Sequence, residues 1–352
     1  MPTKKPTIDD VAALSGVGRT TVSRVLNGGP NVRAEVRERV QRAVTMLDYK
    51  VNVQARFLAG GASRQLTMVF ASDLSSEPNS YYHSGLEIGA LRACSEHGFT
   101  LSTVTVDPDA ADRHQRILQL VTDRHSDGIV LTPPFSDDEA LVRAIVAQHC
   151  PVVCVSGGPG VRSLAATVGI DDEAAGYAMA RHQLSLGHRL FGYIDGLEGH
   201  LSASQRLDGF RRALREAGLA ESTLIVARGN FTFRSGIEQA TTLLSQAQRP
   251  TALVCANDDM AAGALLTVHR LGLAIPQDVS VSGFDDTPVS EIIWPPLTTI
   301  HQPIRRIGQR AIGVLVETIN AGQQTTQAGF LAIPFHVVER SSTGRSALEA
   351  VR

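Results

Sequence analysis

The sequence predicts a small all-α headpiece followed by an α/β body made of two doubly wound parallel-sheet lobes. Three observations predict it. Residues 7–47 carry apolar positions at helical spacing, in three short periods separated by glycine-bearing turns. From residue 66 onward, short runs rich in β-branched residues alternate with longer helical periods, which implies right-handed βαβ units and parallel sheets. The charge is also divided unevenly. Residues 1–64 hold eleven Lys and Arg against five acids, a charge of +6, and the remainder holds 22 against 30, a charge of −8. The net charge of −2 therefore hides a basic end on an acidic body, the footprint of a phosphate-binding segment joined to something else. The 352 residues favour two or three units, and an apolar share of 43% against 19% charged is enough for large cores.

The first helix starts at Thr7, with Asp10 three residues later as an acidic capping box. Val11 and Leu14 are expected on its inward face. Ser15-Gly16-Val17 breaks it, Gly16 supplying the positive φ of a tight turn. The second helix runs roughly from Arg19 to Leu26, with Val22, Val25 and Leu26 inward. Its other face holds Arg19, Thr20, Thr21, Ser23, Arg24 and Asn27. That face is short-chained, polar and basic, and it suits the major groove of DNA better than a core. A loop, Gly28 to Asn31, leads to a third helix over roughly Arg33 to Leu47, with Val36, Val40, Ala43, Val44 and Leu47 in one stripe.

The run GVGRTTVSRVLNG resembles the recognition segment of the lactose-repressor (LacI/GalR) family of bacterial transcription regulators, whose pattern is close to G-V-S-x-x-T-V-S-R-V-[LIV]-N. The resemblance implies a helix-turn-helix DNA-binding headpiece over residues 1–51, with Thr7 also on the DNA side. It implies a hinge helix and linker over 52–65, where Asn52, Ala55, Arg56 and Leu58 match Y-x-P-N-x-x-A-R-x-L. Leu58 would be the apolar wedge that opens a base step in the minor groove. Three departures stand out. Gly18 replaces a serine that would bond phosphate, Arg33 replaces the usual cap of the third helix, and Val51 replaces a proline before Asn52.

In the body, LTMVFA (66–71) reads as a strand, 84–98 as helix, TLSTVTV (100–106) as strand, Ala111–Arg124 as helix and DGIVLT (127–132) as strand. A helix over 137–149 and the strand VVCVS (152–156) complete one set. The second set is a helix over Asp172–Leu186, FGYID (191–195), helix 202–217, LIVA (224–227), helix 234–247, ALVCA (252–256), helix 258–271 and VSVSGF (279–284). LTTIHQPIRRIGQRAIGVLVETI then reads as a strand and a long amphipathic helix. The resemblance implies lobes of the periplasmic-binding-protein type within an effector-binding and dimerisation domain over 66–340. Lobe 1 would take about 66–167 and 298–325. Lobe 2 would take about 168–297 and 326–340, including a final strand at about 330–338, and 341–352 would be a short tail.

Ligands of such sheets sit at the carboxyl ends of the strands, here between the lobes. Sugar hydroxyls are gripped by planar polar groups such as Asp, Asn and Arg. By resemblance, Ser202, Arg206, Asn257 and Asp285 fall on effector-contact positions and Phe231 on a stacking position. Tyr81 and Tyr82 fall at the start of the first lobe's opening helix, and Ser156 stands where the lactose repressor has an acidic contact. The position of that protein's first-lobe arginine is Pro108, so a galactoside is not expected. Asn257 and Asp258 also read as a helix cap, and Asp286 as a brace for its own loop. Trp294, the one tryptophan, is expected near the cleft.

Catalysis is not expected. The pairs Asp171-Asp172, Asp258-Asp259 and Asp285-Asp286 are sequence neighbours that point to opposite sides. No G-x-S-x-G, glycine-rich phosphate loop or H-E-x-x-H occurs. No cofactor and no metal are expected. Cys94, Cys150, Cys154 and Cys255 read as small buried hydrophobes, the middle pair standing about 13 Å apart along a strand. With no apolar stretch for a signal peptide or a membrane span, the expectation is a cytoplasmic protein that does not touch membranes. A solute-binding protein without a transcriptional role would not need residues 1–64. The expected partners are near-palindromic double-stranded operator DNA, a second copy in a homodimer, and a small, sugar-like effector. The implied role is a repressor of carbohydrate-utilisation genes, with a purine-, nucleoside- or sugar-phosphate-responsive regulator as the alternative. RSALEAVR after the last motif is too short for a heptad coiled coil, so a tetramer is not expected.

Overall fold

A computed structural model describes residues 6–26, 32–49, 63–71, 80–123 and 126–346. The chain divides into two units, 1–63 and 64–352, each taken by itself.

In the first unit, helices α1 (Ile8–Ser15), α2 (Arg19–Leu26) and α3 (Ala34–Met46) enclose a small core of Val11, Val22, Val25, Val40 and Ala43. The capping box is complete. Asp10 Oδ2 accepts from the Thr7 backbone N–H at 2.7 Å, and Thr7 Oγ1 accepts from the Asp10 N–H at 3.4 Å. Gly16 takes φ +64° and closes α1. One expectation fails: Leu14 is 48% exposed. The inward stripe continues from Val11 to Ser15, one full turn on, and the Ser15 hydroxyl is satisfied by the Val11 carbonyl at 2.6 Å. Gly18 opens α2, its carbonyl accepting from Thr21 and Val22. Arg33 precedes α3 without a side-chain cap, as its chemistry requires. Thr7→Ala should cost α1 about 1 kcal/mol. Amide exchange in residues 8–15 should then run about fivefold faster, and unchanged exchange would mean that the cap contributes nothing.

The second unit holds two parallel sheets. The first contains β1 (Gln65–Ala71), β2 (Thr100–Val106), β3 (Gly128–Leu131), β4 (Val152–Val155), β5 (Ala166–Gly169) and β11 (Gly329–Ala332), in the order β11-β5-β4-β3-β1-β2. Alternate side chains feed two cores. Leu66, Met68 and Phe70 face helices α4 (Ser80–His97) and α13 (Ile304–Asn320), whereas Val69, Ile129 and Leu131 face α5 (Arg113–Thr122) and α6 (Glu139–Ala147). The one-turn helix α7 (Pro159–Arg162) follows β4.

The second sheet contains β6 (Phe191–Asp195), β7 (Leu224–Arg228), β8 (Ala252–Cys255) and β9 (Ser280–Ser282), in the order β7-β6-β8-β9. Its helices are α8 (Asp172–Ser185), α9 (Leu201–Glu216), α10 (Phe233–Leu244) and α11 (Asp258–Arg270). Phe210 of α9 meets Phe191 and Tyr193 of β6 edge-on at 5.4 and 5.5 Å between ring centroids. After the short α12 (Val289–Ile292), β10 (Thr299–His301) pairs antiparallel with β12 (His336–Val338).

Two departures from the sequence expectation concern the return path. β5 is an additional strand, and the segment that reads as one strand over about 330–338 is two. β11 pairs with β5 in the first sheet and only β12 joins β10, because Pro334 separates them and has no N–H for a ladder. Residues 326–340 therefore do not belong to the second lobe as a block. The tail is also built in as far as residue 346. The Ser342 carbonyl accepts from Val281 N–H, and Ser346 N–H donates to the Leu186 carbonyl. All four cysteines are free and buried.

Close helix pairs fix the framework around the strand ends. A Cβ on Gly176 would overlap the Arg206 carbonyl, and one on Gly209 would overlap the Glu173 carbonyl, so α8 and α9 touch backbone to backbone. The pairs Gly89/Gly308 and Gly236/Gly263 do the same for α4 with α13 and α10 with α11.

Candidate DNA-reading face and effector cleft

On α2, Val22 and Val25 are turned into the core, which leaves Arg19, Thr20 and Arg24 outside it, with Thr21 and Ser23 half-buried. Thr7 is exposed at the start of α1. Arg19 stands 3.7 Å from Asp9, both largely exposed, an ion pair weak enough to be exchanged for another partner. Asn27, Asn52, Ala55, Arg56 and Leu58 lie outside the described residues.

In the second unit, the ends of the strands bring most of the expected effector residues together. Arg206, on α9, is buried at the centre. Its Nε donates to Asp172 Oδ1 at 2.8 Å, one guanidinium nitrogen donates to the Ala256 carbonyl at 2.8 Å, and its plane lies 3.6 Å over the Phe284 ring. Burial pushes the Asp172 carboxyl above its usual range, and Arg206 pulls it part of the way back. Ser202, one turn before Arg206, also helps hold the Asp172 charge, although its Oγ is too poorly aligned to count as fully paired.

Asp285 follows β9 and is 4% exposed. Among the described residues its carboxylate receives one bond, at 3.3 Å from Gln302 Nε2, and burial pushes its pKa well up. Tyr82, in the first turn of α4, carries the first lobe to the same place. Its hydroxyl bonds the Ser156 side chain, and its titration is raised by burial and then by Asp285. Ser156 directly follows β4. Tyr81 lies over Gly85 on the side of α4 that faces Ile304. Phe231 sits over Gly196, where no Cβ would fit, with the His200 ring edge-on at 4.9 Å.

Asn257 is the cap of α11. Its Oδ1 accepts from Met260 N–H at 3.0 Å and its Nδ2 donates to the Phe231 carbonyl at 2.8 Å, leaving one donor and one lone pair. Asp286 braces its loop, accepting from Arg340 at 2.7 Å and bonding His301 at 2.8 Å. Burial raises its pKa, but these bonds outweigh it and hold the carboxyl below the ordinary range. Asp258 ties three segments, accepting from the Thr287 N–H, the Thr287 hydroxyl and the Thr299 hydroxyl.

Ser156, Phe231, Asp285 and Asp286 have φ of 53°, 66°, 109° and 56°, a region L-residues seldom adopt. Each costs about 1–3 kcal/mol, and such costs concentrate at ligand sites.

Comparisons with known proteins decide the family. Residues 7–52 match the family described as bacterial regulatory proteins, lacI family, and residues 180–343 match the periplasmic binding protein-like domain. The HTH-type transcriptional regulator CelR of Thermobifida fusca is 32% identical over 343 residues, covering 96% of this chain and 98% of that protein. The chain belongs to the LacI family. Another LacI-family relative, the HTH-type transcriptional repressor PurR of Vibrio vulnificus, is 32% identical over 89% of this chain and 92% of its own. Among solved structures, a CelR–cellobiose complex aligns with a TM-score of 0.70 at 31% identity, covering 96% of this chain and 99% of that one. A lac repressor dimer bound to operator and an anti-inducer aligns with a TM-score of 0.77 at 26% identity, covering 97% of this chain and 100% of that one.

As a LacI-family member the chain is a DNA-binding transcriptional regulator, not an enzyme. Among the described residues, no helix is long and apolar enough to cross a membrane. Sequence reasoning misses Asp172 and Gln302. Asp172 looks like an ordinary acidic helix start. Gln302 is legible only as the residue after a crossover strand, and the bridge from Asp285 to His301 is what carries it under the cleft. Trp294 is not where the sequence suggests. It is 81% exposed, its carbonyl bonds His269, and α11 separates His269 from Asn257 by about 18 Å of helix. Tryptophan emission is therefore a poor reporter of this site.

Proposed function

We propose that this LacI-family chain is a cytoplasmic homodimeric repressor of carbohydrate-utilisation genes, whose affinity for a near-palindromic operator is set by a small sugar-like effector between the lobes. One observation carries the effector assignment. Arg206, Asp285, Gln302 and Ser202 of the second half converge with Tyr82 and Ser156 of the first, and Phe231 is tied by its carbonyl to Asn257 at the end of a strand of the second sheet. Planar hydrogen-bonding groups beside an aromatic face are what a polyhydroxylated ring requires. The structure of its relative CelR with cellobiose supports the same class. A purine or nucleoside is the alternative class. Calorimetric titration with cellobiose, glucose, ribose, adenine and guanine separates the two. Heat from the bases alone would replace the sugar assignment.

For DNA, Thr7, Thr21, Ser23, Asn27 and Arg24 position the headpiece, while Arg19 and Thr20 face the bases. Asn52, Ala55, Arg56 and Leu58 belong to the hinge in this proposal. Arg19→Ala should change preference at one symmetric base pair by about 1–3 kcal/mol. Arg24→Ala should weaken all sites alike and reduce the salt slope by about 1 per headpiece. Selection of bound sequences from a random duplex pool, followed by anisotropy titration, reads both. Equal loss on every sequence for both variants would overturn the division of roles.

A further inference from the structure

The inference rests on the effector reading and concerns the charge of what the cleft admits. Two of the positive groups near it are paired with carboxylates, and a third is engaged by a carbonyl and a ring. Arg206 is held by Asp172, and Arg228 donates to Asp195 at 2.9 Å. Arg162 turns its Nε to the Gly157 carbonyl and its plane to the Phe330 ring at 3.8 Å.

The carboxylates are not matched in the same way. Among the described residues Asp285 has one hydrogen bond, the long one from Gln302; the Arg206 charge favours its ionised form and is set against the charges of Asp258, Asp259 and Asp172. Asp137, on the first lobe's side, is pushed up to about 6 by burial and by Asp172, against its bond from Gly158 N–H and the charge of Arg162. A second, independent feature lies in the same place. Gln302 is 3% exposed, its Nε2 is turned to Asp285, and its Oε1 has no partner. Beside the donors that Arg206 and Asn257 still offer, the site therefore presents two acceptors that call for a partner: the Asp285 carboxylate and Gln302 Oε1. They call for a ligand that brings N–H or O–H donors. A phosphate at neutral pH brings acceptors and negative charge, and it would face the Asp285 carboxylate and the Gln302 amide oxygen.

We propose that this cleft selects uncharged, hydroxyl-rich effectors and rejects their phosphorylated forms. This separates a sugar-responsive regulator from a sugar-phosphate-responsive one on the charge of a single site. With Asp285 in the ionised form that the Arg206 charge favours, a full negative charge held a few ångströms from it lowers affinity by at least about 100-fold at the effective dielectric of a protein surface. Asp259, half-exposed beside Asp285, contributes to the rejection without being needed for the hydrogen bonds.

Isothermal titration of the full chain with matched pairs tests this. The pairs are glucose and glucose 6-phosphate, fructose and fructose 6-phosphate, ribose and ribose 5-phosphate, cellobiose and cellobiose 6-phosphate, and adenosine and AMP. The expected result is that every binder is the unphosphorylated partner, favoured by at least about 100-fold. Asp259→Asn should narrow that ratio at least about tenfold. A phosphorylated member that binds as tightly as its parent overturns the inference and leaves the effector cleft standing. A ratio unmoved by Asp259→Asn also overturns the electrostatic account. A panel in which no member binds removes the effector reading, and the inference falls with it.

Discussion

Gly209→Ala is expected to destabilise residues 64–352 by about 3 kcal/mol, although the same change at an unpacked helical position stabilises. Two effects of opposite sign compete. A mid-helix glycine costs about 1 kcal/mol relative to alanine, so replacement gains that much where space is open. At Gly209 the space is filled by the Glu173 carbonyl of α8, and at Gly176 by the Arg206 carbonyl of α9. Backbone cannot swing aside as a side chain can, so the helices must separate. Gly313 of α13 is the internal control. Its Cβ would meet only the flexible end of Arg310, at 3.5 Å, and Gly313→Ala should raise stability by about 0.5–1 kcal/mol. Thermal unfolding of the two variants should move the midpoint in opposite directions. A Gly209→Ala midpoint at or above that of the parent would show that α8 and α9 are not locked by their glycines. The effector response should suffer as well, since α8 carries Asp172 and α9 carries Ser202 and Arg206.

These glycines show where sequence reasoning stops. Three pairs of mid-helix glycines are visible in the chain, but which helices they join is a property of the packed structure. The alternation of β-branched runs and helical periods is legible because each parallel strand is buried on both faces and so must be continuously apolar. β5 escapes because its residues, Ala166 to Gly169, are small and only four long. The division of 329–338 between two sheets escapes because proximity in the chain suggests one strand. Leu14 is misplaced because a three-residue spacing does not tell which of two neighbouring positions completes a short stripe. The DNA-facing side of α2 is legible because a polar, short-chained face opposite Val22 and Val25 has no place in a core. In the proposed cleft, Ser202, Arg206, Asn257 and Asp285 are candidates by resemblance. Their partners, Asp172 and Gln302, are not, because a charge pair or an amide under a carboxylate is decided by which loops meet.

Arg206→Ala should be the more damaging change, because it removes the countercharge from a buried carboxylate. Breaking one side of a buried ion pair costs about 3–5 kcal/mol, most of it the penalty of leaving the other charge unpaired. Asp172 is 3% exposed and its remaining help, from Ser202, is poorly aligned. The loss also strands the Ala256 carbonyl and the face of Phe284. Arg206→Lys should recover little, since an ammonium cannot donate to Asp172 and Ala256 in one plane while stacking on a ring. The variant should show a pH signature. With Arg206 gone, burial and the Asp171 charge act on Asp172 against the Ser202 bond, and its folded pKa rises further above the ordinary unfolded value near 3.9. A raised pKa means that the folded state holds the proton more tightly. The variant's stability is then highest below about pH 4 and falls as the pH rises through the folded pKa, more steeply than in the parent. Asp172→Asn combined with Arg206→Met removes both members of the pair and should restore much of the stability, and the pH dependence that remains is that of Asp285, which also loses the Arg206 charge. Effector control of operator binding should remain lost in the double variant, because the group that organises the cleft is absent. Melting curves from pH 4 to pH 8, read beside anisotropy of labelled operator with and without effector, separate the two roles. A single variant as stable as the parent at neutral pH would show that Asp172 is not ionised in the native protein, and the ion pair would lose its place at the centre of the site.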